Sequence, residues 1–131
     1  MLISLQLPMK IRIRDNSIRL RLTRTEMDIF AEKGYLENKT EFGFADFVYA
    51  IQVLESIENL AATYIGNKMT VFVPSAIKTE WTTTDIVGFN NKMSIGNAKT
   101  LSILIEKDWA CIDNTSNEDQ SDNFKNPHTV C

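Results

Sequence analysis

The 131-residue chain predicts an α+β domain, and three observations carry that prediction. Lys10 to Thr23 alternates basic and apolar residues with a period of two, the mark of half-buried strands. Gly66-Asn67 separates two apolar runs, as a tight hairpin turn does. Thr23-Arg24-Thr25-Glu26 forms a capping box ahead of Met27, Phe30 and Ala31 at helical spacing. The summed pattern is a single domain on a mostly antiparallel, curved sheet built from hairpins, with two short helices. Closure into a barrel-like form is its extreme.

The elements follow in order. The first hairpin breaks at Asp15-Asn16-Ser17. A two-residue loop at Asn16-Ser17 sets Ile13 opposite Leu20 and Ile11 opposite Leu22, with Arg14 facing Arg19 and Arg12 facing Arg21. A three-residue loop would put charge on the buried face. The helix runs to about Lys33, where Gly34 supplies a left-handed cap. Strands are expected over 35–42 and 45–54, the second with apolar residues on both sides. Leu60–Ile65 and Lys68–Val73 flank the Gly66-Asn67 turn. Ser75 caps a short helix to about Trp81, and a short strand covers Ile86–Phe89. Asn90-Asn91 and Gly96-Asn97 mark turns, and 101–106 forms a last hairpin with 109–113. No internal repeat is visible. The domain is expected over 9–113, with residues 1–8 an extension and 114–131 a polar tail, either disordered or laid over the surface.

Composition bounds the function. The net charge is −3, yet six of the 14 basic residues lie between Lys10 and Arg24. Two cysteines do not make a disulfide framework, no apolar run is long enough to span a membrane, and the opening residues make a poor signal peptide. A cytoplasmic protein without a membrane partner is expected. The basic hairpin carries no aromatic residue to stack on a base, so nucleic acid is not expected.

The segments KIRIRDNSIRLRLTRTE, WTTTDIVGF, LIEKDWACID and EDQSDNFKNP resemble a small uncharacterised bacterial family of unknown function. The resemblance runs from Met9 to Cys131. It implies one intact domain starting near Met9 and supplies no substrate or catalytic residue.

The candidate chemistry therefore rests on the residues. Arg12, Arg14, Arg19 and Arg21 share one sheet face, and like charges directly opposite destabilise a sheet by up to about 1 kcal/mol per pair. Either acidic neighbours compensate them, with Glu37, Glu41, Glu106 and Asp108 as candidates, or an external anion does. Arginine suits the second role because its planar fork makes paired bonds to carboxylate and phosphate. Cys111, Asp113, His128 and Cys131 offer metal-ligating atoms, but at a spacing that matches no zinc or calcium pattern. No cofactor motif and no nucleophile motif is present. The leading expectation is a non-catalytic domain whose basic hairpin meets an acidic partner. The alternative is a small phosphorylated or carboxylated ligand in an arginine-lined cleft.

Overall fold

The computed structural model describes residues 8–110 and 124–125. Eight strands form two four-stranded mixed sheets, and neither closes into a barrel. The first sheet takes β1 (Lys10–Arg14), β2 (Ser17–Leu22), β7 (Gly88–Gly96) and β8 (Lys99–Lys107), in the order β1-β2-β8-β7. The second takes β3 (Tyr35–Glu41), β4 (Asp46–Leu54), β5 (Ala61–Ile65) and β6 (Lys68–Pro74), in the order β3-β4-β6-β5. Helix α1 (Arg24–Lys33) follows β2, and α2 (Ser75–Thr83) follows β6. The short strands β9 (Trp109–Ala110) and β10 (Phe124–Lys125) pair in parallel. The α+β class and the two helices hold. The single, mostly antiparallel sheet gives way to two sheets, each centred on a parallel pair, β2 with β8 and β4 with β6.

A repeat that the sequence hides organises this arrangement. Each half of the chain is a ββαββ unit, and the halves exchange partners: each sheet takes one hairpin from each half. Equivalent positions make equivalent bonds. Ser102 donates its amide to the Asn16 carbonyl at 3.1 Å, as Val48 does to Asn67 at 3.0 Å. Lys107 and Val53 donate in the same way to Val87 and Gly34, at 2.8 and 2.9 Å. Leu20, Leu22, Val71 and Val73, equivalent in pairs, are all fully buried. Phe30 of α1 and Trp81 of α2 are equivalent too, and their rings meet edge to face at 6.2 Å. Both are fully buried, and the Trp81 indole N–H donates to the Val87 carbonyl. Apart from the turn asparagines Asn16 and Asn67, the side chains compared at these positions differ in identity, so the repeat is hard to see in the sequence.

Local signals set α1. Thr23 and Glu26 complete the capping box, and Gly34 takes the left-handed conformation with φ 69°. Other boundaries depend on partners. The first hairpin turns at Asp15-Asn16, so Ile13 faces Ile18, Arg12 faces Arg19 and Arg14 faces Ser17. The expected register was displaced by two, because β8 captures Asn16: its side chain donates to the Thr100 carbonyl at 2.7 Å. A shift of two preserves which residues share a face. Helix α2 has Pro74, not Ser75, at its N-cap and makes no side-chain cap bond. Asn90-Asn91 is not a turn; it lies within β7, where the Asn91 amide donates to the Leu60 carbonyl at 2.9 Å. The real turn is Asn97-Ala98, both at positive φ. The hairpin expected between 101–106 and 109–113 is also corrected, since β2 and β7 occupy both edges of β8. Phe124, assigned to the tail, packs against the core between the Arg24 and Lys107 cations.

No helix among the described residues is long and apolar enough to cross a membrane. Removing the Trp81 ring by Trp81→Ala is expected to cost about 3–5 kcal/mol, read as a fall in the urea midpoint. With Phe30→Ala added, the combined loss should be less than additive, because the two rings touch. Gly88→Ala should be severe as well: a Cβ there would lie 2.1 Å from the Ile105 carbonyl oxygen, a backbone clash no rotamer relieves.

Candidate anion-binding cleft

The pairing of the first sheet decides what stands beside the arginines. Residues paired across strands project to the same side, so the outward face reads as three rows. Arg14, Ser17, Ser102 and Lys92 form the row nearest the turn. Arg12, Arg19, Leu104 and Asn90 form the middle row, and Lys10, Arg21, Glu106 and Gly88 the last. The row nearest the turn runs long, short, short, long. Two serines between an arginine and a lysine leave a hollow, and the hollow is a cavity of about 380 Å³. Arg12, Arg14 and Arg19 line it on one side and Lys92 and Asn90 on the other, over Leu104. Neither a carboxylate nor an aromatic ring is among the lining residues.

Counter-charge is distributed unevenly along this face. Glu106 accepts from Arg21 Nε at 2.9 Å and lies 3.8 Å from Arg19 Nε. Asp108 is buried and holds Lys10 at 3.0 Å. Glu37 serves Lys68 and Glu41 serves Lys39, both on the second sheet. Among the described residues Arg12 and Arg14 have no ion-pair partner. Burial, then the positive charge of Arg21 and Arg12, holds the Arg19 pKa below its ordinary value against the pull of Glu106. An arginine stays protonated nonetheless, so the direction of that shift registers burial first and crowding of positive charge second. The displaced register leaves one arginine pair directly opposed, Arg12 with Arg19, where two were expected.

Of the four arginines picked out in the sequence, the fold brings Arg12, Arg14 and Arg19 to the cleft and ties Arg21 to Glu106. Lys92 and Asn90 were missed. They lie far along the chain on β7, and only the β7–β8 register brings them in. Cys111, Asp113, His128 and Cys131, the metal-ligating candidates, lie outside the described residues. Among the described residues no group of three or more histidines, cysteines or carboxylates is placed to hold a metal.

Glu106→Gln should free Arg19 and Arg21 at little cost to stability, within about 1 kcal/mol, because the pair is partly in water. The same change should raise retention of wild-type fold on an anionic resin at low salt, an effect that vanishes as salt is added.

No curated protein and no solved structure matches this chain. A family model does, over residues 9–128, the span over which Met9 is buried and the two ββαββ units lie. The chain belongs to that family, a family of unknown function (DUF7009).

Proposed function

We propose that the protein binds a small, multiply charged anion, phosphorylated or carboxylated, in the cleft on the outward face of the first sheet. The observation that carries this reading is the concave lining: Arg12, Arg14, Arg19 and Lys92 converge on one hollow with no carboxylate among them. Arg12 and Arg14 are exposed and unpaired among the described residues, so an anion meets two guanidinium forks that need not first be released from partners. The Arg12–Arg19 repulsion falls when a negative charge arrives between them. Ser17, Ser102 and Asn90 add neutral hydrogen-bonding groups at the floor and wall.

Shape supports this reading over an acidic protein partner. A flat basic face suits a protein surface, whereas a hollow between two edges suits a small ligand. No aromatic ring lines the cleft, so nothing there stacks a nucleobase. Calorimetric titration with pyrophosphate, orthophosphate and citrate tests the proposal, and saturable binding of at least one is expected. Arg12→Gln with Arg14→Gln should weaken it by about 100-fold, since each charge-assisted bond contributes about 1.5 kcal/mol or more. Failure of all three anions to bind, or binding that survives the double substitution, would overturn the assignment.

A further inference from the structure

Both parallel pairs start at the same end of the molecule. β2 and β8 begin together beside the Asp15-Asn16 and Asn97-Ala98 turns, and β4 and β6 begin together beside Gly43-Phe44 and Gly66-Asn67. A cavity of about 510 Å³ joins these two turn regions, with Ile13, Asn16 and Ile95 on one wall and Phe47 and Tyr64 on the other. All four hairpin turns therefore crowd one end, opposite the helices.

That end is apolar to an unusual degree. Of the seven large apolar side chains exposed among the described residues, six lie there: Ile13, Phe42, Phe44, Tyr64, Ile65 and Ile95. Every one of the four turns contributes at least one. Phe42 is 71% exposed, Ile65 is 73% and Phe44 is fully exposed. The tight turn holding the two phenylalanines is closed by the Phe42 amide donating to the Ala45 carbonyl at 3.0 Å, so it projects both rings outward. Single exposed apolar residues are ordinary; six gathered on four adjacent turns are a patch with a use.

Charge behind the tips narrows the use. Arg14, Lys39, Lys68, Lys92 and Lys99 stand within a few residues of an apolar tip, against Asp15, Glu41 and Asp46, in a chain whose net charge is −3. Lys39 and Lys68 are engaged by Glu41, Asp46 and Glu37. Arg14, Lys92 and Lys99 have no ion-pair partner among the described residues. Apolar side chains ahead of a band of free cations match a lipid bilayer with anionic headgroups. Four separate tips around a cavity fit a rigid, flat protein surface poorly, because the cavity stays empty beneath it. Acyl chains are fluid and fill it.

We infer that the hairpin end is a docking surface for an anionic membrane: the six apolar side chains enter the headgroup–acyl boundary while Arg14, Lys92 and Lys99 meet lipid phosphates. That no helix among the described residues can span a membrane leaves peripheral docking of this kind untouched. The apolar tips lie outside the cleft lining, while Arg14 and Lys92 are shared between the two surfaces.

Co-sedimentation with vesicles of phosphatidylcholine alone, and of phosphatidylcholine mixed with phosphatidylglycerol, tests this. Binding to the mixed vesicles, absent with phosphatidylcholine alone and reduced by salt, is expected. Phe42→Ser with Phe44→Ser, at positions that are largely or wholly exposed, should lower partitioning about tenfold or more. Pyrophosphate titration of that variant should match the wild type, which separates this surface from the cleft. Failure to sediment with either vesicle, or sedimentation unchanged by the double substitution, would overturn the inference. So would a dimer in size-exclusion chromatography that the same substitution dissociates while no vesicle binding occurs, since the end would then be covered by a second copy.

Discussion

Inward burial of Leu20, Leu22, Ile103 and Ile105 is the constraint on which the rest depends. These four side chains sit on paired strands at the centre of the first sheet, and none is more than 1% exposed. A strand has a period of two, so fixing them inward forces Arg19, Arg21, Leu104 and Glu106 outward in the same stroke. The basic face is thus a by-product of hydrophobic packing in its direction, though not in its composition. Had the register slipped by one residue, guanidiniums would have entered the core, and that cost enforces the pattern.

The same economy of design shows in the duplicated unit. One ββαββ plan, used twice with exchanged partners, sets Phe30 against Trp81 and places both helices at one end of the molecule. The helices close that end and the turns gather at the other. Chemistry is then free to differ between equivalent places. The outward arginines Arg19 and Arg21 have Thr70 and Phe72 as their counterparts on β6, so only the first sheet carries a basic face. Symmetric packing is compatible with asymmetric surfaces, because surface positions away from the core change at little cost in stability.

Legibility in the sequence followed the range of the interaction. The capping box at Thr23 and Glu26 and the left-handed Gly34 were read correctly because each is decided within one turn of chain. The alternation in β1 and β2 identified both strands and the shared face of the arginines. The hairpin register was misread by two, since Asp15-Asn16 and Asn16-Ser17 are similar as turns and β8 makes the choice. The turn expected at Asn90-Asn91 and the hairpin partner expected for 101–106 differ from the structure for a related reason. Asparagines signal turns in isolation, but Asn91 has its amide satisfied by Leu60 and remains in a strand.

On its own, then, the order of residues determined most of the strands other than β7, the first helix and the clustering of positive charge, all matters of near neighbours and period. Tertiary pairing decided the rest. Whether arginines meet acid or open space depended on which strand came to lie beside β2, and β8 brought Glu106 to Arg21 while leaving Arg12 and Arg14 alone. The hollow itself came from two serines meeting, Ser17 and Ser102, which are far apart in the chain and adjacent only in the folded sheet.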